Sequence, residues 1–344
     1  MSPMNDRSSA EAPGAKAWVR ILAGYRDPNA ARSGFEIAVS AVPLAALWVL
    51  TPILLQHGQW WALLLTIPSA GFVLRLFMIQ HDCGHGSLFK GRMLNDWVGR
   101  AIGVLTLTPY EYWRRTHAVH HATSGNLDRR ELGAIELLTV KEYLALPGWK
   151  RFLYRLYRNP LVLFGLGPAY MFLVQQRLPI GMMKAGWPAW ISALGTNLAI
   201  AAFVTGGILL FGSAPFFLTY ITTLVLAATA GVWLFYVQHQ FEETSWASRE
   251  DWDLHEAALR GSSHYDLPAV LRWFTANIGV HHVHHLNSRI PFYRLMETMR
   301  DHPDLKAQSR ITLLQSLSCV RLALWCEVSS KLVTFRQARA SAAG

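Results

Sequence analysis

The sequence predicts an all-α integral membrane protein, with four transmembrane helices in two hairpins and a cytoplasmic helical cap that holds a metal site. Three observations point there. Apolar residues make up 52% of the 344-residue chain and charged residues only 16%, too greasy a balance for an ordinary soluble enzyme. Four apolar runs each reach about twenty residues, the length a helix needs to cross the hydrocarbon core. Three histidine clusters lie at or beyond the ends of those runs: His81-Asp82-Cys83-Gly84-His85, His117-Ala118-Val119-His120-His121 and His281-His282-Val283-His284-His285.

Residues 1–34 are polar and rich in Ala, Gly and Pro, with Lys16, Arg20, Arg26 and Arg32 leading up to the first run, and are expected to form a flexible cytoplasmic N-terminus. No short apolar stretch with a small-residue cleavage site precedes that run, so it is expected to anchor the chain rather than be removed. The first two spans are expected at 35–56 and 60–80, joined by His57-Gly58-Gln59, with Trp60 and Trp61 in an interfacial aromatic belt. Arg75 lies inside the second span but within two turns of its polar end, so its guanidinium is expected to snorkel to the headgroups.

Between the second and third spans the chain is mixed and carries two shorter apolar runs, 98–109 and 161–174. The first is bracketed by Arg92, Arg100 and Arg114, the second by Arg158 and Arg177. Both fall short of a crossing and are expected to be interfacial or re-entrant. Spans three and four are expected at 189–211 and 214–237, joined by Gly212-Ser213, and the chain from Gln238 onward reads as polar. Neither hairpin turn contains Lys or Arg while the other loops are rich in them. The positive-inside rule then puts both termini and all three histidine clusters in the cytoplasm, with the protein in the cell (inner) membrane. Were either short run to cross, parity would separate the third cluster from the other two.

The net charge of +10 is spread along the flanks of apolar runs, a distribution that fits anionic lipid headgroups rather than nucleic acid. Cys83, Cys319 and Cys326 have no CxxC spacing and indicate neither a disulfide framework nor a thiolate zinc site.

On a helix, His81 and His85 share a face, as do His117, His120 and His121. The third cluster repeats the second's spacing through His281, His284 and His285, but His282 is three residues before His285 and helical geometry alone leaves it within reach. A single histidine at a membrane boundary is ordinarily a satisfied polar residue, the reading given to His57, His255, His264 and His302. The three clusters together resist it, because gathered imidazoles without a metal leave unsatisfied donors and acceptors, and like charges when protonated. They are too many for one zinc, and no Glu-x-x-His pair of the soluble di-iron type occurs. A dinuclear, all-imidazole site fits, and imidazole suits iron, copper or zinc.

These residues resemble the membrane fatty acid desaturase superfamily of non-haem di-iron enzymes, and in particular bacterial acyl-lipid desaturases of the delta-12, delta-5 and omega-3 type. The resemblance rests on H-x3-H followed by two H-x2-H-H boxes. It rests further on Thr108-Pro109-Tyr110 with Trp113, the stretch from His117 to Asp128, Gly261-Ser262-Ser263, and Asn277-Ile278-Gly279-Val280 running through to Arg294. It covers about residues 35–330 as the desaturase domain, leaving 331–344 as a C-terminal tail.

The resemblance implies two Fe ions held by His81, His85, His117, His120, His121, His281, His284 and His285, with His239 matching an additional family histidine. At the third box the family keeps the first histidine and varies the next position, where His282 falls. Asp82, Asn126 and Asp128 are expected either to orient these ligands or to serve only at helix ends. Around Glu131-Leu132-Gly133-Ala134-Ile135 the family often carries Gly and Asp, so the loop after the second box is expected to shape access differently here.

The implied reaction uses O2 and two electrons to place a cis double bond in a fatty acyl chain of a lipid, with delta-12/omega-6 as the closest type. The chain contains no dinucleotide fingerprint and no haem-binding domain, so electrons are expected from a donor such as ferredoxin, docked on the basic cytoplasmic face. The second reading is a di-iron hydroxylase or ketolase acting on an alkane, carotenoid or other lipid. A metal transporter is disfavoured, because its ligands should lie near the bilayer midplane.

Overall fold

The structure is a computed structural model that describes residues 13–130 and 135–341. It is mostly helical. A short helix α1 (Ala15–Leu22) precedes α2 (Ala30–Gln56), and α3 combines a 3-10 stretch (Trp60–Leu65) with an α-helix (Thr66–His85). Then follow α4 (Arg92–Leu105), α5 (Tyr110–Thr123), strand β1 (Leu138–Thr139), α6 (Val140–Ala145), α7 (Gly148–Tyr157) and α8 (Gly167–Leu173). The long helices α9 (Trp187–Phe211) and α10 (Ser213–His239) lead into α11 (Leu254–Arg260), β2 (His264–Asp266), α12 (Ala269–Phe274), α13 (His281–Leu286) and α14 (Leu295–Asp301).

Four helices are long and apolar enough to cross a membrane: Ala30–Gln56, Trp60–His85, Trp187–Phe211 and Ser213–His239. They contain the four spans read from the sequence and extend them. Helices α3 and α10 run on past residues 80 and 237 without a break, so His81, His85 and His239 ride on the same rods as two of the candidate spans. Asn29 caps α2 by accepting the Arg32 N–H at 2.9 Å. At the other end of α2, Gly58 adopts φ +72°, the left-handed conformation that lets the chain turn into α3. Helix α3 stops at Gly86 for the same reason, with φ +68°. Helix α10 packs on α3 and α2 in the centre of the molecule.

The strands are few and short. β1 pairs in parallel with β4 (Leu324–Cys326), which pairs antiparallel with β5 (Lys331–Val333), while β2 pairs in parallel with β3 (Arg310–Thr312).

Several expectations change. Within the N-terminal lead-in, residues 13–34 pack on distant parts of the chain: Trp18 and Leu22 of α1 are buried against α11 and α13, and Tyr25 O–H donates to Asp301 at 3.0 Å. The segment expected as a tail forms β5 and a helix (Phe335–Ser341) whose Phe335 ring packs 5.3 Å from that of Tyr143. Both partnerships join residues far apart in the chain, which local composition does not encode.

Arg158, which brackets the second short apolar run, is buried and donates to the carbonyls of Glu136 and Leu322, the Tyr236 hydroxyl and Gln240 Oε1, so it ties α7 to α10. Arg75 does not snorkel. Only 2% exposed, it forms a salt bridge with Glu36 of α2 and donates to the Trp273 carbonyl. A carboxylate on the neighbouring helix satisfies the guanidinium where it stands, which removes the need to reach the headgroups.

Glu36→Leu alone leaves Arg75 buried without its counter-charge and is expected to cost about 3–5 kcal/mol, whereas the paired Glu36→Leu, Arg75→Met variant should recover most of that. Thermal unfolding of the detergent-solubilised variants measures the difference. Equal losses in the single and double variants would show that the pair is not coupled.

Candidate metal centre

Nine imidazoles converge in two adjacent groups: His81, His85, His117, His121 and His284 in the first, and His120, His239, His281 and His285 in the second. Within each group one ring nitrogen per residue lies within 4.8 Å of all the others.

Helix geometry explains the sorting. The pairs His81/His85 on α3 and His117/His121 on α5 are each four residues apart and point into the first group, while His281/His285 on α13 does the same for the second. His120 and His284 are the crossing members. Each is offset by one residue from its helix's pair and so faces the other group. The two groups touch through His121 and His285, whose rings stack at 4.1 Å. His239, from the C-terminal end of α10, is the fourth member of the second group.

The contacts among these nitrogens test whether a cation fits. Nε2 of His117 lies 3.0 Å from Nε2 of His85 and 3.1 Å from that of His121, which in turn lies 3.1 Å from Nε2 of His284. A ring nitrogen has one in-plane position, filled by a proton or a lone pair, so three contacts through four nitrogens cannot all be hydrogen bonds. His239 Nε2 has the same difficulty, at 3.1 Å from Nε2 of His120 and 3.0 Å from that of His281. Nε2 of His81 and of His285 are buried with no partner. Lone pairs directed at a shared cation resolve all of these contacts. Two imidazole nitrogens bound at about 2.1 Å and at right angles sit about 3.0 Å apart. The residues present fit two metal ions with nitrogen ligands.

Protonation agrees with that role. Burial first, and then the charges the neighbouring imidazoles would carry, push His117, His120, His121, His281, His284 and His285 well below the ordinary imidazole range. They are neutral at pH 7 and keep a lone pair to offer. The outer contacts set the tautomers. His239 Nδ1 lies 3.2 Å from the Gly261 carbonyl, which accepts its proton and leaves Nε2 bare. Asp82 places Oδ1 at 3.3 Å from His81 Nδ1 and accepts the Phe292 N–H on Oδ2 at 2.7 Å. Trp113 stacks on His117 with ring centroids 4.6 Å apart.

Of the other residues singled out in the sequence, Asn126 and Asp128 make no hydrogen bond to an imidazole among the described residues. Asn126 Oδ1 accepts the Asp128 N–H at 2.9 Å, and Asp128 accepts the Arg249 N–H at 2.7 Å. With the Asn126 to Ala247 bridge, these bonds brace the loop that leaves α5. The expected access difference at residues 131–135 falls mostly on 131–134, which lie outside the described residues. His282 stays apart from both groups, with Nε2 at 2.9 Å from the Leu305 carbonyl. His264 lies 2.9 Å from the Lys306 carbonyl through Nδ1.

A narrow cleft lined by Thr123, Ser124, Ile135, Phe235 and Trp246, with Arg129 and Arg130, reaches His120 and His239. The clustered spacing did not reveal this access. Its walls come from five separate stretches of chain.

The family model for fatty acid desaturases matches residues 58–314. A fatty acid desaturase of Bacillus subtilis is 40% identical over 321 residues, 93% of this chain and 91% of its own length. An sn-1 acyl-lipid omega-3 desaturase (ferredoxin) of Synechocystis sp. is 30% identical over 231 residues, 64% of this chain and 61% of that protein. An sn-1 oleoyl-lipid 12-desaturase of the same organism is 26% identical over 298 residues, 83% of this chain and 75% of that protein. A match across most of the length, with all nine histidines gathered around two points, is the pattern of one family: the chain belongs to the fatty acid desaturases.

Proposed function

We propose that the two imidazole groups hold two iron ions, and that the enzyme introduces a cis double bond into a fatty acyl chain of a membrane lipid, of the delta-12 or omega type, using O2 and two electrons. The observation that carries this reading is the split of nine imidazoles into adjacent groups of five and four. When bound, the metal pair supplies the O2 reduction that cleaving an unactivated C–H bond demands, chemistry beyond the reach of any side chain.

The chain's own residues do the rest. The imidazoles bind without adding charge, and Asp82 and the Gly261 carbonyl hold two of them in register. Burial of His81, His120, His239, His281 and His284 excludes water from the reacting centre. Phe235, Ile135 and Trp246 give the cleft apolar walls suited to a methylene chain.

Two-hairpin topology, with both termini and the cap in the cytoplasm, is supported by the short basic-free connections 57–59 and 212 against the cations elsewhere. We place the protein in the cell (inner) membrane and take residues 35–330 as the catalytic domain. A ferredoxin-type donor is supported by the relatives that name one. His85, His117 and His121 are the less enclosed members of the first group, and exposed Lys90, five residues after His85 in the chain, supplies a charge that attracts an acidic protein.

Lipid profiling tests the reading. A bacterial host expressing the chain is expected to accumulate a new cis-unsaturated acyl chain on its glycerolipids, with the bond position read by mass spectrometry. A hydroxylated or ketone product in its place would assign the chain to oxygen insertion and overturn the proposal.

A further inference from the structure

The carbons along a saturated acyl chain differ little in reactivity, so the pair that loses hydrogen is chosen by where the protein lets the chain stand. A misplacement of about 1 Å at a reacting centre costs about 100-fold in rate. Such a choice needs a stiff side chain set against the imidazoles. The cleft reaches His120 and His239, and the apolar ring in its wall that stands against both is Phe235, with ring centroids 5.0 Å from His120 and 5.4 Å from His239.

Helix α10 puts that ring in place. His239, Phe235 and Gly231 follow one another at intervals of four residues and so lie on one face of the helix. Going from the imidazole end towards the middle of α10, this face carries a histidine, then a large ring, then no side chain at all. The room at Gly231 is not taken by another element: a Cβ there would have only Leu74 of α3 within 4 Å, at 3.6 Å, an ordinary van der Waals separation. Two other glycines of the long helices are filled, since a Cβ at Gly71 or Gly207 would strike the Phe274 or Phe216 ring at 2.6 or 2.1 Å. Phe235 and Gly231 are both half-buried, whereas Leu234, Tyr236 and Val237 beside them are packed away.

We infer that Phe235 is the specificity-determining residue of the cleft: its ring holds a fatty acyl chain at one depth beside His120 and His239, closes off the room alongside Gly231, and so sets which carbons receive the double bond. A phenyl ring suits the task, being large, apolar and without a polar group to disturb packed methylenes. With a methyl group in its place, the cleft runs on towards Gly231 and Leu74, and the chain can slide further along α10.

The inference rests on the proposed double-bond formation, and the test keeps the two apart. The full-length parent, Phe235→Ala, and the double variant Phe235→Ala, Gly231→Leu are expressed in the bacterial host at matched membrane levels. Bond positions in the glycerolipids are read by mass spectrometry, and iron per chain is measured on each purified protein. The parent is expected to give one bond position. Phe235→Ala should keep two irons and move the bond along the chain or spread it over several positions, and Gly231→Leu, which puts bulk back on the same face, should draw the product back towards the parent's. An iron-loaded Phe235→Ala enzyme that makes the parent's product at the parent's position, or makes none, overturns the inference; so does loss of iron, which would make the ring a support of the ligands, and so does a double variant no nearer the parent than Phe235→Ala alone. A parent that forms no double bond overturns the proposed function itself.

Discussion

His120→Ala and His284→Ala are each expected to abolish desaturation, in a purified enzyme that otherwise carries two irons per chain, while leaving membrane insertion intact. These two residues are the crossing members of α5 and α13, one in each group, so each variant opens a different metal position. Loss of an outer hydrogen-bond partner of a ligand typically costs about 10–100-fold. Asp82→Asn should fall in that range, and removal of a ligand nitrogen should exceed it. Metal analysis of the three variants beside the parent gives the ordering. A parent containing a single zinc, or a His120→Ala enzyme that keeps two irons and its activity, would sink the proposed centre.

The adjacent pair His281 and His282 should part company completely. His281 Nε2 faces His239 Nε2 at 3.0 Å inside the second group, whereas His282 turns away to the Leu305 carbonyl. His281→Ala is therefore expected to lose iron and activity together. His282→Ala removes one buried hydrogen bond and leaves a small void, costing about 1–3 kcal/mol of stability while keeping both irons and most of the activity. Assays at matched membrane levels keep a folding defect from imitating ligand loss. A dead His282→Ala beside a tolerated His281→Ala would mean that the register assigned to α13 is wrong.

Much of this centre was legible in the sequence because its determinants are local. Four apolar lengths give the spans, and spacings of three and four give the shared helix faces. What spacing did not disclose is the division of labour: in H-x2-H-H the middle histidine belongs to the opposite group, a fact fixed by how α5 and α13 cross and not by either helix alone. Family resemblance alone pointed to His239, since a single histidine after a span carries no pattern.

Arg75 was misplaced, and the burial of Arg158 went unread, for a related reason. Their partners Glu36, Tyr236 and Gln240 come from other helices, and a cation beside an apolar run looks the same whether it faces lipid or core. Helix α1 was missed because what stabilises it, the surface of α11 and α13, lies more than 200 residues downstream.

The position of α13 in the chain has a bearing on how the enzyme comes into being. Each group draws on this one late helix, His284 completing the first, His281 and His285 the second. A nascent chain that has delivered its first two clusters presents four nitrogens of the first group but only His120 of the second. After the last long helix is inserted, the second group has gained only His239. On the proposed two-metal reading, paired loading therefore waits until all four long helices and α13 have been synthesised. The finished centre clasps α3, α5 and α10 to a segment synthesised after all four long helices, and a ribosome stalled before residue 281 would leave a chain unable to assemble it.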